Sequence, residues 1–396
     1  MTEYKIQHYV PQFYLKRFSP DGKGLCRYLL SSKTSERRSI EKTASTFWFY
    51  GEGQVAPIFE SAMSSLEDQH SQILKEILDK QHLILRDIIV PHTSQISSED
   101  ERYWHNYYNL RRFVLLTATR TKQAKNESEA IANAIWKTLL AQSEKAKERG
   151  VSPEAIKRGT LVRDKAAAES MQLAIELGPR FISDLTIKLL VNKTGAPFVT
   201  SDSPAVFIFY KFSSQKDLNP TDWQLPGMKT PSLKALTGLK NVLDWQAPGL
   251  MIFLPLSEEV TLWLFDNHQQ MYEPINSTND TIFLSNKSDI DELNKLQALN
   301  AEEFLTFSKP NCSANDVLSL HKQVESRRTE RTAKINKLGH SRIFYESQFS
   351  FLSANEEAYK EKAAEFASGL PIVVRNRYLV VETLLAGIDL AKKRGY

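Results

Sequence analysis

The sequence lacks most of the features that announce a class of protein. It has 2 cysteines, Cys26 and Cys312, far apart and without a neighbouring partner. That excludes a disulfide-stapled scaffold and gives no support for a closed zinc site. Two free thiols in a reducing cytoplasm are expected. No apolar stretch, Leu250–Leu256 included, approaches the ~20 residues that a membrane helix requires. The N-terminus, Met-Thr-Glu-Tyr-Lys, is polar and has no apolar signal-peptide core. GxxxxGK[ST], GxGxxG, HExxH and GxSxG are all missing. No phosphate loop, dinucleotide turn, zincin or nucleophile elbow is therefore indicated. Glu67-x-x-His70 is half of a di-iron helix motif, but no second pair exists. His70 lies on an apolar helical stripe, so a hydrogen-bonded core or interface histidine is expected. No metal and no cofactor is implied. Internal repeats and low-complexity tracts are absent too.

What is present fits an ordinary globular chain. Of 396 residues, 41% are hydrophobic and 25% charged. A chain of this length can bury roughly 75% of its unfolded surface without disulfides or metal. Lys and Arg number 51 against 47 Asp and Glu, a net charge of +4. For this size, that does not by itself imply a nucleic-acid partner.

Hydrophobic spacing divides the chain. Residues 1–54 read as a small β element, with a strand over Gly24–Leu30 and Ser39–Ala44 placed to pair back on it. Residues 55–180 take helical spacing. Phe59, Met63, Leu66, His70, Ile73 and Ile77 mark one helix, and Ser98-x-x-Glu101 opens a second with a capping box. Two further helices over 128–147 and 153–178 complete a four-helix module. Residues 181–310 return to strands, with a hairpin from Leu250–Leu254 to Val260–Phe265, a helix over 288–303 and a strand at Phe304–Ser308. The polar stretch Ser213–Gly249 reads as an insertion or lid. Residues 311–396 read as an appended, mainly helical, basic extension. The expected fold class is α+β: a helical module packed with a mixed, mainly antiparallel sheet, followed by that extension.

Two polar segments stand out as a possible site: His8-Tyr-Val-Pro-Gln-Phe-Tyr-Leu-Lys-Arg-Phe18 and Pro197-Phe-Val-Thr-Ser-Asp-Ser-Pro204. The second is an apolar strand ending in Asp202, where many folds place ligand or catalytic groups. Both segments, with Leu116-Thr-Ala-Thr-Arg-Thr121, Phe253-Leu-Pro-Leu-Ser257, Leu293-Asn-Lys-Leu and Glu303-Phe-Leu-Thr-Phe-Ser308, follow an order and spacing that resemble the bacterial family catalogued as domain of unknown function 4238, over about residues 5–310. That pattern often has proline after the Arg-Thr of the helix, where Lys122 stands here. The resemblance supports the parsing and implies a bacterial protein. It implies no activity.

Within the motifs, His8, Arg120, Asp202 and Asn294 are polar residues that a core does not need. They must be bonded when buried. One reading is a hydrolase, of nuclease or phosphodiesterase type, acting on a phosphate-containing or nucleic-acid substrate. His8 would be acid or base, Asp202 its orienter and Arg120 the anion holder, with Asn294, Glu67 and Ser201 binding substrate. The other reading is a non-catalytic module for a nucleic acid or a protein, in which the same residues hold the fold. A basic helix adds a candidate nucleic-acid surface, Arg327, Arg328, Arg331 and Lys334. Residues 321–342 hold seven basic side chains against two acidic ones.

Overall fold

The computed structural model describes residues 6–49, 55–83, 98–126, 178–210, 248–267, 270–275, 280–307, 313–338, 343–345 and 349–368, together with 128–129, 171, 175, 212 and 277–278. The helices expected over 128–147 and 153–178 lie almost wholly outside these residues. So do the 213–247 stretch and Cys312.

The most apolar runs build the centre. Strands β5 (Leu185–Asn192), β7 (Val206–Tyr210), β8 (Leu250–Pro255) and β9 (Val260–Asp266) join β11 (Ser277–Thr278), β12 (Thr281–Leu284) and β14 (Ile343–Tyr345) in a seven-stranded sheet. Its order is β11-β12-β5-β9-β8-β7-β14. The expected hairpin forms: β8 and β9 pair antiparallel, Phe253 opposite Trp263. The sheet is mixed because β12 runs parallel to β5 and β14 parallel to β7.

Every residue of β8 and β9 is buried, so both faces of the sheet are covered. Alternation sorts their side chains between the faces. Ile252, Leu254, Leu262 and Leu264 pack with the helices α2 (Val55–Lys80) and α3 (Ser98–Thr119), through Leu74, Ile77 and Val114. Met251, Phe253, Trp263 and Phe265 face the other way, towards α5 (Lys287–Asn300) and its Ile290, Leu293 and Leu296. Between these helices in the chain lies the short α4 (Gly178–Phe181), whose Gly178 approaches Leu115 so closely that a Cβ would sit 2.5 Å from its Cδ1.

A second sheet has the order β3-β2-β13-β6. It joins β2 (Gly24–Leu29) and β3 (Thr34–Ser39) to β13 (Phe304–Phe307) and β6 (Thr200–Ser201). Thr34–Ser39, not Ser39–Ala44, is the strand that pairs back on β2. The chain reverses at once after Leu29, with Lys33 at φ 56° donating its N–H to the Leu29 carbonyl. Residues Ile40–Lys42 then form a short 3-10 turn. The sheet packs under α6 (Ala314–Leu338) through Tyr28, Leu305, Val317 and Val324. The first residues form a separate two-stranded ribbon, β1 (Ile6–His8) with β4 (Ser45–Phe47), followed by the one-turn α1 (Gln12–Leu15).

The C-terminal stretch contributes to the same core. β14 is the last strand of the large sheet, and β15 (Leu352–Ala354) pairs with β10 (Tyr272–Pro274). In α7 (Glu356–Ser368), Tyr359 stacks on Phe212 at 4.2 Å. Lys362 of that helix reaches Asp266 in β9 at 2.6 Å. Ser350 donates its N–H to Asp289 of α5. The architecture is mixed α+β, with several mostly antiparallel sheets and seven helices among the described residues. None of those helices is long and apolar enough to cross a membrane.

Candidate functional site

The motif segments lie far apart in sequence and meet in space. Their polar side chains make the meetings, and several reach the backbone of another segment.

Tyr14, from the first motif, is fully buried, and burial pushes its phenol well up. Its hydroxyl donates to the Pro255 carbonyl at 2.7 Å and lies 2.7 Å from the Thr200 hydroxyl. One side chain thus joins the segments at 8–18, 197–204 and 253–257.

Arg120 follows α3 directly, with 2% of its surface exposed. Nε and Nη2 both donate to the His8 carbonyl, at 3.0 and 2.6 Å, and Nη1 donates to Glu67 Oε1 of α2. Two donors on one carbonyl fix the guanidinium plane against strand β1. The Arg120 bond is therefore to the His8 backbone. The His8 ring points elsewhere. Nε2 lies 2.9 Å from the Glu41 carbonyl, so Nε2 carries the hydrogen and donates, while the Gln12 amide lies 3.4 Å from Nδ1. Burial lowers the pKa of His8, opposed by the Glu41 carbonyl and reinforced by the Arg120 charge.

Asp202 follows β6 and is buried. Oδ1 accepts the Glu302 N–H at 3.0 Å and Oδ2 the Glu303 N–H at 2.7 Å, which pins the link between α5 and β13. Burial pushes its carboxyl up to about 7, against these two bonds, which favour the charged form. Glu303 continues the network. It accepts the Tyr9 hydroxyl at 3.1 Å and the Lys122 ammonium at 2.7 Å. Lys122, at the position where the family pattern often has proline, also stands 5.2 Å from the centre of the Tyr9 ring.

Asn294 accepts the Val199 N–H at 2.9 Å and donates to the Pro197 carbonyl at 3.0 Å. Gln297 accepts the Ser201 hydroxyl at 3.1 Å and donates to the Pro204 carbonyl at 2.6 Å. Asn300 donates to the Ser203 carbonyl at 2.7 Å. Three amides at spacing three on α5 therefore bond the whole 197–204 segment. Gln297, Asn300, Tyr14 and Glu303 were not singled out from sequence. The repeat Asn294-x-x-Gln297-x-x-Asn300, aligned with a polar strand end, is the signal that could have found the first two.

Arg120 and Glu67 thus meet, with the His8 backbone. Ser201, Asp202 and Asn294 belong to the 197–204 seam. Among the described residues no hydrogen bond or ion pair joins His8 to Asp202. No group of three or more potential metal ligands occurs among them either.

Two arginines of the basic helix bond α5. Arg328 donates to the Ala298 and Ala301 carbonyls, and Arg331 to Asn300 Oδ1 at 3.2 Å. Both cover the C-terminal end of α5, where the unpaired carbonyls and the helix dipole favour a cation. Arg327 is exposed, beside Lys322 and Glu330 on the outer face. Lys334 lies on the same helix, its side chain outside the described set.

His70 departs from expectation. It sits 1% exposed on α2, its ring 5.3 Å from that of Phe113. Neither ring nitrogen has a hydrogen-bond partner. Burial, with the Arg112 and Arg120 charges, lowers its pKa to about 3. Periodicity placed it in the core. The absence of any bond was not legible, because the sequence does not show what faces an apolar stripe.

A mixed α+β protein bound together by polar cross-links between sequence-distant motifs is the class that fold and site define. The chain belongs to the family described as "Protein of unknown function (DUF4238)", whose family model matches residues 6–311. No curated protein and no solved structure matches it.

Proposed function

We propose that the chain is a non-catalytic binding module in which the motif side chains hold the fold, and that its partner is a protein. The observation that carries this is the direction of the motif hydrogen bonds. Arg120, Asp202, Asn294 and Tyr14 all bond backbone atoms of other segments, and Ser201 bonds Gln297 of α5. Groups committed in this way are not presented to a substrate. A protein partner is favoured over nucleic acid by two features. Arg328 and Arg331 are turned onto α5. Ile6 and Phe47, opposite each other across β1 and β4, are 56% and 65% exposed. They form an apolar pair on a two-stranded ribbon, to which an extended segment of a partner can add as a strand. A cytoplasmic setting fits the free thiol of Cys26.

The second reading is the hydrolase acting through His8, Asp202 and Arg120. It is favoured by an Asp202 carboxyl titrating close to neutral pH, as acid–base groups do. Two measurements decide. In the binding-module reading, His8→Ala and Arg120→Met both lower the melting temperature, and labelled single-stranded and duplex oligonucleotides do not bind at low salt. Unchanged melting temperatures contradict the fold-holding role. Salt-dependent oligonucleotide binding that weakens in Arg327→Glu contradicts the protein partner.

A further inference from the structure

The junction of β1, α2 and α3 concentrates groups that acid would charge around one buried guanidinium. His70 on α2 is sealed, and both its ring nitrogens are without partners. Beside it stand Arg112 of α3 and Arg120, the residue after that helix, whose Nη1 bonds Glu67, one turn earlier than His70 on α2. From the N-terminal segment come His8, whose carbonyl holds Arg120, and Arg17, which donates to the Ser71 carbonyl of α2 and is balanced by Asp79. Glu41 and Gln12 complete the surroundings of His8. In this setting the His70 imidazole can be neutral at modest cost. As imidazolium it would be a desolvated cation beside two others, with no acceptor in reach. Opening the contact between α2 and α3, where the ring packs on Phe113, lets water reach the ring and relieves that cost. Because Arg120 links α3 and Glu67 of α2 to the His8 carbonyl, opening there also frees β1.

We propose that this junction is an acid-operated latch: protonation of His70 releases α2 from α3 and, through Arg120, loosens the β1–β4 ribbon. The direction follows from linkage. The open form titrates near the ordinary histidine value of about 6.5 and the closed form far lower. The closed state is therefore undisturbed above pH 6.5 and lost progressively below it. Between pH 8 and pH 5 the opening constant rises about thirty-fold for one such histidine. The latch rests on the reading of Arg120 as a group that holds β1.

Hydrogen exchange of the full chain, corrected for the intrinsic pH dependence of amide exchange, tests it. The expected result is a rise of about thirty-fold in the opening constants of amides in 65–80 and 6–8, relative to 289–300 in α5, between pH 8 and pH 5. In His70→Gln, which cannot take the proton, the rise in 65–80 disappears, and the rise in 6–8 falls to what His8, itself held below its ordinary value by burial, contributes. His70→Phe, which keeps a ring against Phe113, gives the same comparison if the amide variant folds poorly. An equal rise in the variants overturns the latch, and so does no rise in the wild type. An equal rise in α5 overturns it as well, since that is global unfolding. The underlying reading fails separately: Arg120→Met would then melt like the wild type at pH 8, where His70 is neutral in either case.

Discussion

Two polar regions hold this chain together, and they use different chemistry. At the seam between α5 and the 197–204 segment, neutral amides do most of the bonding: Asn294, Gln297 and Asn300 each reach backbone groups. At the junction of β1, α2 and α3 the bonding is charged. Arg120 and Glu67 form the ion pair, and two histidines flank it. Amides do not titrate, so the amide bonds of the seam are insensitive to pH. The junction depends on side chains staying in one protonation state. Both regions satisfy buried backbone groups, but the seam does so mainly through groups that do not titrate, and the junction through groups that do. Asp202 is the exception within the seam, a buried carboxylate where the others are amides.

Arg120→Met separates the two regions most strongly. It leaves Glu67 and the His8 carbonyl without their partner and removes a buried charge. A loss of about 3 kcal/mol is expected, discounted for the partial exposure of Glu67, and a lower melting temperature measures it. Asn294→Ala removes two backbone bonds with no charge involved. About 1–2 kcal/mol is expected in urea unfolding, with the same loss at pH 5 and pH 8. A loss that changed with pH would erase the contrast between the regions.

The pH profile itself sharpens it. His70 is held below its ordinary value, so it withdraws stability as pH falls below about 6.5. Asp202 is held above its ordinary value, up to about 7. It withdraws stability as pH rises from about 4 towards 7. The two windows overlap with opposite sign, so the contributions of these two groups nearly cancel between pH 4.5 and 6.5. In that range His70→Gln becomes less stable with rising pH, and Asp202→Asn more stable. Urea unfolding at three pH values reads both slopes. The smallest effect is that of Lys122→Ala, which loses a partly exposed ion pair with Glu303. Less than about 0.5 kcal/mol is expected, shrinking with added salt.

The apolar framework was legible in the sequence, and the polar framework only in part. Continuous apolar runs marked β8 and β9 because both their faces are covered. Strand β3 was not legible, because Thr-Ser-Glu-Arg-Arg-Ser has no apolar alternation and is almost wholly exposed. The boundary near residue 310 follows the family, but strand pairing crosses it: β14 and β15 complete sheets begun within the matched residues. Motif residues stand out in the sequence as groups a core does not need. What they bond was hidden, since a side chain directed at a backbone amide looks the same in sequence as one directed at a substrate.

If the motif side chains hold backbone segments together, Asp202 is where that shows most clearly. Its two oxygens are the acceptors for the Glu302 and Glu303 amides. In Asp202→Ala those two amides should lose their protection against hydrogen exchange at pH 7.5, and the melting temperature should fall by several degrees. If both amides remain protected and the protein melts like the wild type, Asp202 is not holding the fold, and the account is contradicted.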